Sequence, residues 1–349
     1  MNDKEKLGWG LIGCGMSATF FRGGIEACEE ASLVAVADAI EDRADAFAEE
    51  SGGAKAYYDY EKMLRDPNVD IVGICTPSGM HADAVVACAQ AGKHVLCEKP
   101  LDIKPDRIAR MIEACKTGGV KLGAILQSRT HPDTMKARKA IENGELGQMV
   151  LGDAFLKNFR DQAYYDSAGW RGTWEADGGG ALMNQGIHGV DLLIWLMNDD
   201  VESVFARADH LLRDIEVEDT CVATLKFKGG AYGTIIGTTT CNPGEPSRTE
   251  LHGKSGTIII YGTEIVRWAV TDEEDGRAKD LFERKQIDAA GMVADAAKPA
   301  AGHDVLVADM VQAVKEDRDP YVTGEDACKS VELILAIYES ARTGKEVTL

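Results

Sequence analysis

Residues 7–18, LGWGLIGCGMSA, constrain what this chain can fold into more than any other stretch of similar length. An apolar run reads as a buried strand and breaks into a glycine turn, Gly13-x-Gly15-x-x-Ala18. A helix-like segment follows, then a second strand, Ser32 to Ala37, that ends in Asp38. A strand passing through such a turn into a helix opens a doubly wound sheet and fits the G-x-G-x-x-A form of the dinucleotide fingerprint. Gly13 permits the tight turn. Gly15 lets main chain approach a pyrophosphate at the helix N-terminus, and small Ala18 permits close helix–strand packing. An acid about 20 residues further on, as Asp38 is, bonds the adenosine ribose hydroxyls. Its neighbours Ala39 and Ile40 offer no base for a 2′-phosphate, which favours NAD over NADP. The alternative for Asp38 is an ordinary turn residue.

The alternation continues. Helix patterns cover 41–51 and 59–66, and Val69 to Cys75 is an all-apolar run of the kind a parallel strand shows. Helix 80–91 stops at Gly92, strand 93–97 follows, helix 105–117 is capped by Gly118-Gly119, and a strand covers 120–126. This order predicts a parallel sheet with helices on both faces, whose ligands bind outside the carboxyl ends of the strands. Thr76, His81, Glu98 and Lys99 fall at or just after those ends. His81 reads either as a capping or surface histidine or as a cofactor contact.

Strand 93–97 delivers Cys97-Glu98-Lys99-Pro100. Proline biases Lys99 away from the helical region, and a bond before proline tolerates the cis form. A lysine held at a strand end suits a site in which an ammonium faces a reacting oxygen. The plainer reading is a surface loop with a Glu98–Lys99 ion pair.

From about residue 128 the pattern changes. Helix 132–143 closes at Gly144, and a strand starts at Gly147. Alternating or β-branched runs at 201–210, 219–227, 231–240, 248–252 and 256–260 predict a largely antiparallel sheet. Two helical segments, 304–317 and 325–343, end the chain, while the polar, alanine-rich residues 271–300 match no period. One helix interrupts the strands, from Gly180 to about Met197, in GGGALMNQGIHGVDLLIWLM. Met183, Ile187, Val190, Ile194 and Met197 form an apolar stripe, and Asn184, His188 and Asp191 share a polar face. His188 reads as a catalytic group or as a helix-face histidine bonded to Asp191. No further His or Cys has the spacing to complete a metal site there. Upstream, residues 158–177, NFRDQAYYDSAGWRGTWEAD, hold five aromatics and two arginines besides three aspartates and a glutamate. Such a stretch suits sugar rings and carboxylates, or covers an apolar sheet edge.

With 349 residues and 45% hydrophobic content the chain is long enough for two cores. A net charge of -20 argues against nucleic acid and anionic membrane as partners. The nine scattered cysteines, none in CxxC, read as thiols in a reducing, cytoplasmic compartment. The start MNDKEK shows no apolar leader, and no apolar run is long enough to span a bilayer.

With the glycine turn, CEKP and GGGALMNQGIHGVD in order, the chain resembles the glucose–fructose oxidoreductase, inositol dehydrogenase and rhizopine-catabolism family (Gfo/Idh/MocA) over nearly its whole length. The resemblance implies a Rossmann domain over residues 1–127. It implies an α/β substrate-binding and oligomerisation domain over 128–349, with a large, mostly antiparallel open sheet and terminal helices able to pack back on the first domain. It implies NAD-dependent oxidation of a sugar, sugar derivative or cyclitol, with NADP the lesser alternative, in a homodimer or homotetramer built through the second sheet. Lys99 and His188 would be the catalytic pair. Gly13, Gly15, Met16, Asp38, Thr76, Pro77, His81, Glu98, Lys99 and Gln127 would line the cofactor site. Trp170, Arg171, Asn184, His188 and Lys99 would meet the substrate. No metal is implied. The family often has Asp where this chain has Asn184, which puts a proton relay through that position in question. The string WRGTWEADGGGALMNQGIH looks most like branches that oxidise pyranoses at C3, nucleotide-sugar uronates among them.

In the oxidation direction a histidine is matched to neutral pH as a base, while an unperturbed lysine is not. His188 is then expected to accept the hydroxyl proton and Lys99 to polarise the oxygen; a lysine base with a depressed pKa is the alternative. Two rivals stand beside this reading. One is a non-catalytic dinucleotide-binding regulator on the same fold, and the other an enzyme that processes glycosides through transient oxidation by retained NAD.

Overall fold

The computed structural model describes residues 5–271, 278–280 and 302–349. The unassigned stretch 271–300 and the first four residues lie largely outside them. The chain divides into two compact units, one of residues 1–127 and 298–328, the other of residues 128–297 and 329–349.

The first unit begins with β1 (Leu7–Ile12), α1 (Met16–Ala27), β2 (Ala31–Ala37), α2 (Glu41–Glu50), β3 (Lys55–Tyr57) and the single turn α3 (Tyr60–Met63). It continues through β4 (Ile71–Ile74), α4 (His81–Gln90), β5 (His94–Cys97), α5 (Pro105–Gly118) and β6 (Leu122–Ala124). The six strands are all parallel, in the order β3-β2-β1-β4-β5-β6. Every residue of β1 and β4 is buried, which is why both read as unbroken apolar runs rather than alternating ones. Strand order reverses at β1, so the carboxyl ends of β1 and β4 flank the switch point where ligands bind in such sheets. Helix α5 starts with Pro105 at its first turn and stops at Gly119, whose φ of 64° takes the left-handed cap. The short edge strand β3 had no counterpart in the sequence reading, since three residues are too few to show a period.

The second unit holds α6 (Pro132–Glu142), β7 (Met149–Lys157), the one-turn α7 (Gln162–Asp166), a π-helical turn (Ala181–Gly186) and α8 (Ile187–Met197). Its further strands are β8 (Val201–Asp209), β9 (Thr220–Phe227), β10 (Tyr232–Thr238), β11 (Arg248–Gly253), β12 (Gly256–Tyr261), β13 (Glu264–Thr271) and β14 (Ala278–Asp280). With the short terminal strand they form a nine-stranded sheet, antiparallel throughout except where β7 pairs with β10. Its strands alternate: Cys221, Ala223 and Leu225 of β9 are buried, whereas Val222 is 47% exposed. Phe205 and Tyr232, on the same face as Val222 by register, are 39% and 61% exposed. One side of the sheet therefore carries apolar groups that this unit leaves open.

The chain closes with α9 (His303–Glu316), α10 (Gly324–Thr343) and β15 (Val347–Thr348). Helix α9 belongs to the first unit and packs on α1, where Val307 comes close to Gly24. All nine cysteines are free, five of them buried. Among the described residues no helix is long and apolar enough to cross a membrane.

Candidate active site

The glycine turn after β1 is built for a ligand that approaches main chain. Gly13 has φ +93°, and a Cβ there would lie 2.8 Å from the Cys75 carbonyl carbon, so only glycine lets the ends of β1 and β4 come this close. At Gly15 a Cβ would meet nothing within 4 Å, which leaves open space over the turn. Helix α1 starts there with no side-chain cap and no acid in its first turn, so its leading N–H groups are available to an anion. Met16, 79% exposed, stands at the rim. Across the switch point the Thr76 hydroxyl is buried without a hydrogen-bond partner, at the edge where a cofactor would supply one. Asp38 accepts the N–H groups of Cys14 and Ile40, both at 2.9 Å, which ties the end of β2 to the glycine turn. The first turn of α2 also brings Arg43 to 3.5 Å from Asp38, a base that the immediate neighbours in sequence do not supply. The open turn, the uncapped helix and the orphaned hydroxyl fit a dinucleotide.

Glu98, Lys99 and Pro100 follow β5 on the same sheet edge, and the Lys99–Pro100 peptide is cis. His81, 1% exposed, lies between two loops: Nδ1 is 2.8 Å from the Pro100 carbonyl oxygen and Nε2 is 2.8 Å from that of Thr76. Carbonyl oxygens only accept, so the ring N–H donates to one of the two, set by the tautomer. Both ring nitrogens face main chain, so His81 links the Thr76–Pro77 and Lys99–Pro100 turns on the sheet edge of the glycine turn. Glu98 is buried, and its Oε1 lies 2.9 Å from Nε2 of His303 while Oε2 accepts the Lys99 N–H at 3.2 Å. Burial opposes ionisation of Glu98, but the hydrogen bond and charge of His303, with the charge of Lys99, outweigh it and hold the carboxyl below its ordinary value. His303 packs between Phe20 and Phe21 of α1, at 5.4 and 5.7 Å between ring centroids. Lys99 is half-buried, and Gln127 is half-buried just after β6.

In the second unit the sequence predicts one continuous helix from Gly180 to Met197. The structure begins it with the π-turn, and α8 starts only at Ile187. The cause is Glu218, which takes three successive N–H groups at the start of the turn. Its carboxylate accepts from Gly180 at 2.9 Å and Leu182 at 2.8 Å, and its main-chain carbonyl accepts from Ala181 at 3.0 Å. The Tyr338 hydroxyl donates to the same carboxylate at 2.8 Å. Burial outweighs these bonds and pushes the Glu218 carboxyl up to about 7. Burial also extends beyond the expected stripe, to Leu192, Leu193 and Leu196. Asp191 is fully buried and accepts a fork from Arg129 at 2.9 and 2.7 Å, so its carboxylate serves Arg129. Asn184 donates to Asp177 at 2.5 Å, while His188 is half-buried on α8.

The aromatic stretch before the glycines contains α7, which Asp161 caps by accepting the Tyr164 N–H at 2.9 Å. Buried Tyr165 anchors it through its hydroxyl, 2.9 Å from that of Thr239. The Arg171 guanidinium stacks over Tyr164 at 4.2 Å and Trp170 at 4.7 Å, so the sequence-predicted pair Trp170 and Arg171 is brought together.

Residues 7–125 match the model of an oxidoreductase family, NAD-binding Rossmann fold, and residues 138–349 match its C-terminal alpha/beta domain. The chain belongs to the Gfo/Idh/MocA oxidoreductase family. Myo-inositol 2-dehydrogenase of Thermotoga maritima is 33% identical over 273 residues, 77% of this chain and 79% of that protein. A 1,5-anhydro-D-fructose reductase of Ensifer adhaerens is 28% identical over 97% of each chain. Among solved structures, the WlbA dehydrogenase of Bordetella pertussis in complex with NADH and UDP-GlcNAcA superposes with a TM-score of 0.84. It is 33% identical, with 99% of each chain covered. As a Gfo/Idh/MocA protein with dehydrogenase relatives, the chain is a dehydrogenase acting on CH–OH groups.

Three groups that hold candidate residues in place, one in the first unit and two in the second, were missed in the sequence. His303 meets Glu98 across 205 positions, and nothing local marks it. Glu218 did leave a trace, since Glu218-Asp219 puts two acids at the mouth of the apolar strand β9. Adjacent strand residues point to opposite faces, and Asp219 serves the other loop by accepting the N–H groups of Leu211, Leu212 and Arg213. Asp177, 2% exposed, holds Asn184 and the Gly172 N–H, and its place in a polar loop concealed its burial.

Proposed function

We propose that this chain uses NAD to oxidise a ring hydroxyl of a pyranose, sugar derivative or cyclitol, with the C3 hydroxyl of a pyranose the expected position. The observation that carries the reading is the Glu98-Lys99-Pro100 turn, fixed by His81 and His303 on the sheet edge that also bears the open glycine turn. Residues 1–127 would form the cofactor domain and 128–349 the substrate and assembly domain. Gly13, Gly15 and Met16 would hold the pyrophosphate and Asp38 the adenosine ribose, with Thr76, Pro77, Glu98 and Gln127 completing the cofactor site. Bound NAD supplies the hydride acceptor. Lys99 polarises the substrate oxygen and stabilises negative charge on it, and His188 accepts the hydroxyl proton, helped by Asn184 in orienting the ring. A panel of neutral and acidic sugars and cyclitols, followed through the absorbance of reduced nicotinamide, tests the reading. Turnover of a ring alcohol supports it. NAD binding without turnover of any panel member favours the non-catalytic regulator.

Cofactor choice gives a sharper expectation. Asp38 faces the ribose site with its charge, and a 2′-phosphate there would be repelled. Asp38→Ala should weaken NAD binding about tenfold, as expected for losing hydrogen bonds to a charged group. It should also raise turnover with NADP, because Arg43 at 3.5 Å is released to meet a 2′-phosphate. Wild-type protein that used NADP as efficiently as NAD would contradict this assignment.

The face bearing Phe205, Val222 and Tyr232 is the expected homo-oligomer surface. Sedimentation at micromolar concentration should give a dimer or tetramer, and Val222→Glu with Tyr232→Glu should shift it toward monomer. A wild-type monomer under those conditions would remove this proposal.

A further inference from the structure

Arg160 and Arg171 converge on Tyr164. The Arg160 guanidinium lies 5.2 Å from the ring centroid and that of Arg171 lies 4.2 Å from it, so the two charges are within about 10 Å of one another, roughly a Debye length. Their hydrogen bonds go to neutral groups. Arg160 donates to Gln185 Oε1 at 2.7 Å and to the Phe159 carbonyl at 2.8 Å, and Arg171 donates to the Tyr164 hydroxyl. Among the described residues no carboxylate pairs with either guanidinium, although the chain carries 58 acidic residues against 38 basic ones. Arg171 Nε is buried and has no hydrogen-bond partner. Two half-buried cations repel each other and lose solvation, a cost that a bound anion offsets.

The pair is also held in place. Gln185 donates to the Tyr164 hydroxyl at 2.8 Å and to Asn184 Oδ1 at 3.1 Å, so Arg160, Tyr164 and Gln185 form one network with Asn184. Gln185 and Asn184 lie in the π-turn immediately before His188. Guanidinium forks match carboxylate and phosphate oxygens geometrically, and stacking on aromatic rings fixes the plane in which they point.

We propose that Arg160 and Arg171 receive an anionic group of the substrate, a carboxylate or a phosphate, so that the preferred substrate is an acidic pyranose rather than a neutral one. This rests on the dehydrogenase reading above, and two measurements separate the two ideas.

The first is binding. Isothermal titration of the NAD-loaded protein with glucuronate, UDP, UDP-glucuronate and glucose needs no turnover. Glucuronate binding marks a carboxylate site and UDP binding a phosphate site. Arg171→Gln and Arg160→Gln should weaken the acidic ligand about 10- to 100-fold, as for loss of a charge-assisted fork, while NAD affinity is unchanged. Arg171→Lys should recover part of the loss. If neither glucuronate, UDP nor UDP-glucuronate binds wild type more tightly than glucose, the anion site is overturned. The same holds if Arg171→Gln and Arg160→Gln both bind acidic ligands like wild type. The second measurement is kinetic. The acidic sugar should be preferred in kcat/KM, and both arginine variants should raise its KM by a larger factor than that of a neutral sugar. Equal losses on both sugars would overturn the proposal. Arginine-dependent anion binding with no oxidation of any sugar would sink the dehydrogenase reading and leave the anion site standing.

Discussion

Lys99→Met and His188→Ala should each lower kcat by about 10²- to 10⁴-fold, the scale for removing one electrostatic or general-base group. Methionine keeps most of the lysine stem and removes its charge. The Glu98 carboxylate is held by His303 and by the Lys99 N–H, not by the lysine ammonium alone, so the turn keeps its shape in Lys99→Met. His81 still ties Pro100 to Thr76. NAD affinity should then stay close to wild type while kcat falls, because the ammonium acts most strongly on charge that develops during reaction. His188→Ala removes the proposed proton acceptor and should lower kcat while leaving NAD affinity close to wild type. Both variants are to be measured under conditions where chemistry limits turnover. If each keeps more than about a tenth of wild-type kcat, well short of the loss expected for a catalytic group, neither is catalytic. The reaction then runs through other groups, and the assignment of roles to Lys99 and His188 falls.

What was legible in the sequence followed a physical rule of range. The β1 turn, the buried runs of β1 and β4, and the caps of α5 are local, and each is written in consecutive residues. CEKP was legible because proline acts on the residue beside it. The contacts that fix the site are not local. His303 reaches Glu98 across the chain, and Glu218 reaches Gly180 over 38 positions, so no periodicity could show them. His81 was legible as a residue at a strand end but not in its role, since main-chain acceptors leave no mark on the sequence. The alternative reading of His188, bonded to Asp191, rested on helix spacing alone. It did not anticipate the Arg129 fork on Asp191 from 62 positions away. Strands β3 and β13 were passed over, the first as too short and the second because Glu264, Arg267 and Trp268 interrupt its alternation.

Glu218 and Gly180 should control both the stability of the second unit and the placement of His188. A Cβ at Gly180 would stand 2.0 Å from the Glu218 carbonyl oxygen, a main-chain atom, so Gly180→Ala must displace the start of the π-turn. Shifting the helix that carries the proposed proton acceptor by about 1 Å would cost about 10²-fold in rate, so kcat should fall by that order with NAD affinity unchanged. Wild-type kcat in Gly180→Ala would refute the positioning role of this turn. Glu218 adds a pH dependence. Its carboxyl is raised from an ordinary 4.5 to about 7, so the folded protein holds this proton more tightly than the unfolded chain does. The group's contribution is fully present below 4.5 and is lost as pH rises through about 7, a change on the order of 3 kcal/mol. Glu218→Gln cannot titrate, so it should flatten this part of the curve of Tm against pH. It also turns an amide donor toward the N–H groups of Gly180 and Leu182 and the Tyr338 hydroxyl, and should cost about 1–3 kcal/mol of stability at low pH. Parallel Tm profiles for wild type and Glu218→Gln from pH 4.5 to about 7 would show that this carboxyl does not titrate in the window. Glu218 would then be a permanent anion held by its three donors rather than a group that gives up its charge on folding.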